Sequence, residues 1–322
     1  MNVMDVGGGE AGGRARLEVP RIAVPEGLAV QLSRIAPPWS EFGFAAIVDG
    51  RNSFSIESDG LRLLSAASLA KLFIAGEAFR RIGSGDLRFE TQVPIEASNR
   101  VGDPNGLDPT RRDDLLVAAD SATVRLLLSQ MLNASSNTAA NVLIDLLERA
   151  QVNSETVARF GWTGSQVTRK YLPRHLESAG HQVAPPTLTC PRHISELLYL
   201  ASRGSLNGAT FDRILISHLL NGVRHRRSLA GDSLAVASRY FHKIGSLEGR
   251  DRRGNLIRWQ HEAGVLQRGA TVVVLCVMSC YRPPSRQHYF PLPEMQRAIF
   301  DGVLLLEGSQ KVGPRNEPSR SL

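Results

Sequence analysis

Ser68-Leu69-Ala70-Lys71 opens the segment with the strongest helical periodicity in the chain, and its reading decides the rest. A serine and a lysine three residues apart on a helix project from one face, one turn apart. The amine is then within reach of a hydroxyl that is a poor nucleophile by itself. A neutral amine there takes the hydroxyl proton and makes the serine able to attack a carbonyl. Serine and lysine are common residues, so this spacing alone is weak. Two later stretches give it weight. Ser135-Ser136-Asn137 brings a second serine with an asparagine, and Lys243-Ile244-Gly245 brings a second lysine beside a glycine.

Outward from that segment the chain alternates between strand and helix patterns. Gly27 to Ile35 reads as a short amphipathic helix. Phe42 to Gly50 reads as a strand ending in a turn, with Ser53 to Glu57 as its hairpin partner. The helix runs from Ser68 to Ile82 and buries Phe73, Ile74, Ala78 and Ile82. A loop-rich stretch from Glu90 to about Asp114 contains Asp103-Pro104-Asn105-Gly106. Helices follow over Thr123 to Leu132, Thr138 to Ala150 and Pro191 to Ser202. Strands return at Ala235 to Ser246, His261 to Leu266 and Thr271 to Ser279, and a helix over Glu294 to Leu306 closes the pattern. The order predicts an α/β (α+β) protein with one antiparallel sheet built from both chain ends. Residues 25–88 and 235–307 form its discontinuous α/β part, and 89–234 an inserted all-helical domain. Residues 1–24 and 308–322 read as disordered.

Composition narrows the function classes. The 322 residues are 42% hydrophobic, enough for a packed core, with a formal net charge of +7. The arginines are dispersed and no aromatic-basic alternation suggests nucleic acid. Arg224-His225-Arg226-Arg227 and Arg250-Asp251-Arg252-Arg253 read first as solvated loops, with a rim attracting an anionic substrate as the other reading. No histidine or cysteine cluster has metal spacing, and no cofactor motif is present. Cys276 and Cys280 on a strand lie about 13 Å apart, too far for a disulfide, and Cys190 has no obvious mate. The glycine-rich Met1 to Gly13 has no signal-peptide core, and no apolar run is long enough to span a membrane. The chain as given therefore reads as cytoplasmic, although a trimmed export signal leaves the same sequence. Its oligomeric state is not legible.

Taken together, the three motifs and their settings resemble the serine β-lactamase and penicillin-recognising superfamily, most closely its class A branch. The resemblance covers roughly residues 27 to 307. It implies a β-lactamase/transpeptidase-like fold, with the antiparallel sheet flanked by helices. It implies Ser68 as nucleophile and Lys71 as its base. Ser135, in Met131-Leu132-Asn133-Ala134-Ser135, takes the proton-relay role, and Asn137 holds a substrate carbonyl. Ser136 replaces the family's usual aspartate and suits a helix N-cap. His242-Lys243-Ile244-Gly245 resembles the K-T-G strand, with Lys243 as a fixed positive charge and Gly245 allowing substrate close to the backbone. The resemblance places the oxyanion hole at the backbone N–H groups of Ser68 and Ser246.

Two positions depart from the family pattern. Ile244 stands where a hydroxyl usually helps bind a substrate carboxylate, and a lost donor to an anion costs about 1.5–3 kcal/mol of binding. The loop that carries the family's deacylating glutamate reads Thr168-Arg169-Lys170-Tyr171-Leu172-Pro173-Arg174-His175-Leu176-Glu177. Glu177 is the candidate, while a gapless match puts Arg174 in that place. The readings are a serine hydrolase acting on an amide or ester and poor against common β-lactams, a biosynthetic acyltransferase using the same acyl-enzyme, and a non-catalytic binding relative. The expected partner is a small or peptide-like acyl substrate, which the basic balance allows to be anionic.

Overall fold

The computed structural model describes residues 19–101, 116, 118–172, 185–220, 239–251 and 253–309. At its centre is an antiparallel sheet of five strands: β1 (Ser40–Asp49), β2 (Phe54–Ser58), β3 (Arg239–Arg250), β4 (Leu256–Arg268) and β5 (Thr271–Tyr281). Their order is β2-β1-β5-β4-β3, so both chain ends build one sheet and β3 lies at an edge. The register pairs Ile47 with Val274, Cys276 with Ala263, and Ala263 with Lys243. Phe44 to Val48 and Val273 to Met278 are buried without alternation, because helices cover both faces of these inner strands.

The back face packs against α1 (Glu26–Ile35) and the C-terminal helix α7 (Leu292–Ser309). The front face packs against the helical part of the chain, which is inserted between β2 and β3. There α2 (Lys71–Ser84) runs through the interior, with every residue from Lys71 to Phe79 buried. Around it lie α3 (Val124–Leu132), α4 (Asn137–Leu147), α5 (Pro191–Ser202) and α6 (Ala209–Leu220). Local chemistry sets their limits. The Thr123 hydroxyl accepts from Leu126 N–H and caps α3, and the Ser136 hydroxyl accepts from Ala139 N–H and caps α4. Pro191 starts α5, where its missing N–H is not needed, and Gly85 ends α2 in the left-handed region.

Several elements differ from the sequence expectation. Ser68 is not in the α-helix. It lies in a 3₁₀ turn over Ala67–Ala70, and α2 starts at Lys71. The turn is tightened by the Lys71 N–H bonding back to Ser68 O, and Ala67 at φ 44° redirects the chain into it. Short strands Gln92–Pro94 and Ser121–Thr123 pair with each other, the first inside the stretch read as loop and the second ending at Thr123, where the sequence predicts the start of a helix. The helix α6 and a π-helical turn over Val152–Val157 carried no decisive periodicity. Cys190, Cys276 and Cys280 are free thiols. Among the described residues no helix is long and apolar enough to cross a membrane.

One buried charge ties the helical part together. Glu77 is fully buried on α2 and takes both Arg80 (2.7 and 2.8 Å) and Arg81 (2.8 Å) on its carboxylate. Arg81 in turn donates to Leu147 O at the end of α4. Removing the charge from Glu77 leaves two guanidinium groups half satisfied, though both reach solvent. Glu77→Gln is expected to lower stability by about 1–3 kcal/mol. Urea unfolding should show this as a lower midpoint at an unaltered slope.

Candidate active site

The site forms where the 3₁₀ turn, the loop before α4 and the edge strand β3 meet. Ser135 sits at φ 58°, a left-handed conformation that costs a non-glycine residue about 1–3 kcal/mol. The kink aims both its carbonyl and its hydroxyl at lysine side chains. Lys71 Nζ donates to Ser135 O at 2.5 Å and to Asn137 Oδ1 at 2.8 Å, and lies 3.3 Å from Ser135 Oγ. Lys243 Nζ donates to Ser135 Oγ at 2.8 Å and to Ile244 O at 3.2 Å. Lys71 is fully buried and Lys243 nearly so. Ser68, Ser135 and Lys243 line one cleft of about 490 Å³.

Ser68 is held against β3 by backbone packing. A Cβ on Gly245 would sit 3.3 Å from both Ser68 N and Leu69 N and 3.4 Å from Ala66 O. The glycine therefore serves the approach of the Ser68 turn to the strand, where the sequence suggested an approach by substrate. His261 fixes the same turn from behind. Its Nδ1 accepts from Ser279 N–H at 3.2 Å, so Nε2 carries the proton and donates to Ser65 O at 2.7 Å. Burial pushes the His261 pKa down to about 4, which keeps this neutral tautomer.

Not every expected residue sits as its motif suggested. Asn137 takes Lys71 on its side-chain oxygen, so in this state it positions the amine. Ile244 lines the cleft, but strand alternation sends its side chain to the back face, opposite Lys243. Ser246 lines the cleft as well. His242 points away from Lys243 and stacks on Tyr240 with centroids 5.0 Å apart. Glu177, Arg174 and the Arg224–Arg227 cluster lie outside the described residues.

Sequence reasoning gave Tyr171 no role. Its backbone N–H donates to Asn141 Oδ1 at 2.6 Å, and its hydroxyl donates to Ala67 O at 3.3 Å. Lys71 Nζ lies 4.7 Å from its ring centroid. Burial raises the phenol pKa well above its ordinary value, so Tyr171 stays neutral. The position was legible only as part of Arg169-Lys170-Tyr171, which carries no motif.

Lys243 is less fixed as a charge than its strand suggested. Burial lowers its pKa from 10.5 to about 7. The unfolded chain then binds more protons than the folded one between about pH 7 and the unfolded lysine value near 10.4. Stability contributed by this group is present above that value and is lost as pH falls through about 7. Lys243→Met is expected to gain on the parent as pH is lowered from 10 to 7, read from denaturation midpoints. A difference that does not vary with pH would show that Lys243 titrates alike in both states.

The geometry can be set beside known proteins. Residues 40–289 match the profile of the Beta-lactamase enzyme family. No curated protein matches the chain at significant sequence similarity. Among solved structures, a β-lactamase from Sphaerobacter thermophilus superposes with a TM-score of 0.68 at 18% identity, covering 87% of this chain and 97% of that one. PBP-A superposes at 0.70 with 16% identity, covering 89% and 98%. A PBP-A variant in acyl-enzyme complex with penicillin G gives 0.70 at 17%, covering 89% and 99%. At these identities the structures speak for the β-lactamase/transpeptidase-like fold, and the profile covers most of the chain. The protein belongs to the Beta-lactamase enzyme family, on a serine β-lactamase-like fold.

Proposed function

We propose that the protein is a serine hydrolase that opens an amide or ester through an acyl-enzyme at Ser68. The observation that carries the reading is the hydroxyl of Ser135, which accepts from Lys243 at 2.8 Å and lies 3.3 Å from Lys71. With both amines on its lone pairs, the Ser135 proton is directed away from them and toward the cleft. Ser68 Oγ attacks the substrate carbonyl and its proton passes to Lys71. The oxyanion rests on the backbone N–H groups of Ser68 and Ser246. As the bond to the leaving nitrogen or oxygen breaks, Ser135 supplies a proton and is refilled from Lys243. Water then attacks the acyl-enzyme, releases the acid and restores Ser68, and the proton left on Lys71 returns through the Ser135 hydroxyl to Lys243. That penicillin G acylates a PBP-A variant of the same fold supports the covalent step. Ile244 removes the hydroxyl expected for a carboxylate and points to poor turnover of common β-lactams.

Incubation with a fluorophosphonate should add one adduct mass on Ser68, absent in Ser68→Ala, with Lys71→Met slowed by about 10²–10⁴. An intact protein that stays unlabelled after prolonged exposure would sink the reading in favour of a non-catalytic relative.

A second reading, acyl transfer to an amine, is favoured by Tyr171. Its neutral ring covers Lys71 and has no basic oxygen to offer a water. Hydrolysis then needs a carboxylate from elsewhere, for which Glu177 is the candidate. If Glu177 is that base, Glu177→Gln leaves acylation intact and lengthens the acyl-enzyme lifetime about 10²–10⁴-fold, followed by intact-protein mass. Unaltered hydrolytic turnover removes Glu177 and favours the transferase.

A further inference from the structure

The residues lining the cleft stand on both faces of β3, so the cleft opens over the free edge of that strand. Strand alternation sorts them. Lys243, Leu247 and Trp259 belong to the front face, on which Ser135 stands. Trp259 lies opposite Leu247 in the β3–β4 register and opposite Cys280 on β5, which packs against the front core. Glu248 and Arg258 are opposite each other one position further on, and so face the back.

The front face has two ends, and they differ chemically. Gly245 marks the level of Ser68, since a Cβ there would lie 3.3 Å from Ser68 N. Lys243 is one strand period before it and Leu247 one after, each about 7 Å away along β3. Ser135 holds its hydroxyl against Lys243 at 2.8 Å, so a leaving group that takes the Ser135 proton lies toward Lys243. The oxyanion takes another direction, to the backbone N–H groups. The substituent that stays on the acyl carbon is left with the opposite end, toward Leu247 and Trp259.

That end is apolar and open. Leu247 is 45% exposed and Trp259 half-buried, and both line the cleft. Cross-strand neighbours have Cβ atoms about 4.5–5.5 Å apart, so the two side chains form one continuous patch. Gly249 lets the indole extend it along the strand, since a Cβ there would lie 3.4 Å from Trp259 Cζ3. Among the described residues lining the cleft, Lys243 is the one charged side chain on this face of β3 and β4, and it stands at the other end. The guanidinium of Arg258 is engaged behind the sheet, with Glu248 at 3.0 Å and Arg286 O at 2.8 Å. A charged group on the acyl chain would give up water at Leu247 for no partner, whereas an apolar one covers exposed apolar surface.

We propose that Leu247 and Trp259 form the acyl-selecting wall of the cleft, and that the acyl donor carries an uncharged alkyl or aryl group several carbons long. The proposal rests on the acyl-enzyme reading at Ser68 and names its substrate class.

The test uses three p-nitrophenyl esters: the acetate, the hexanoate and the adipate half-ester, which matches the hexanoate in length and ends in a carboxylate. In each, the Ser68 Oγ–acyl bond forms as the acyl–oxygen bond breaks. p-Nitrophenolate leaves with the electron pair, and the Ser68 proton passes to Lys71. The nitrophenolate burst and the adduct mass on Ser68 give the acylation rate, divided by each ester's rate with hydroxide. The wild-type protein should favour the hexanoate by about tenfold or more over both other esters. Leu247→Ala and Trp259→Gln should each lower the hexanoate-to-acetate ratio several-fold. Leu247→Lys should turn the preference from the hexanoate to the adipate half-ester. Each ratio is internal to one protein, so a lower yield of folded variant does not move it. A wild-type protein that takes the three esters equally, or a ratio that survives Leu247→Ala or Trp259→Gln, overturns the wall while leaving the acyl-enzyme standing. Failure of every ester to leave an adduct on Ser68 overturns the acyl-enzyme reading, and the wall with it.

Discussion

The arrangement depends on one hydroxyl between two buried amines. Ser135 belongs to the helical part, Lys71 to the central helix and Lys243 to the edge of the sheet, so their contacts join three separately built units. A buried lysine must either be neutral or have its donors satisfied. Lys71 finds acceptors in Ser135 O and Asn137 Oδ1, and Lys243 in Ser135 Oγ and Ile244 O. Neither amine can leave without stranding the other side's acceptors in the interior. The seam between sheet and helices is therefore fixed by the same groups that face the cleft.

Strain is placed where this seam needs it. Ala67 and Ser135 both adopt positive φ without being glycine, one just before Ser68 and one at the hydroxyl between the two lysines. Each costs about 1–3 kcal/mol and persists only because its surroundings over-determine it. For Ala67 the surroundings are His261 on Ser65 O and the close packing of Gly245 against Ser68 N. For Ser135 they are the two lysines and the Ser136 cap that starts the next helix. A site assembled this way has little reorganisation left to do when charge develops on a substrate oxygen.

The large features were legible because they rest on local pattern. The apolar run of β5, the stripe of α4 and the proline at the head of α5 each announce one element. Their order announces a sheet drawn from both ends of the chain. The motif spacing announced Ser135 and Lys243 because serine, asparagine and lysine recur beside recognisable turns. What was not legible is what depends on long-range approach. The 3₁₀ geometry at Ser68 is set by contact with β3, which no local propensity records. Tyr171 has its place because Asn141, thirty positions earlier, captures its backbone N–H. Glu262 comes to line the cleft only through its register opposite Ile244.

The same long-range contacts bear on the fate of the proposed acyl-enzyme. If Lys71 is the base of Ser68, as proposed, what stands beside it bears on whether water is activated there. A carboxylate would accept a proton from water at neutral pH, whereas a half-buried phenol with a raised pKa cannot. Tyr171 also occupies volume, bridging Asn141 on α4 to Ala67 in the Ser68 turn. An amine acceptor needs less help than water, because it is the better nucleophile and sheds its proton after attack, when the positive charge makes that easy. The cleft's opening over the edge of β3 gives such an acceptor a route that does not pass Tyr171. On the proposed acyl-enzyme reading, the neutral Tyr171 ring over Lys71 thus weighs on whether water or an amine completes the reaction.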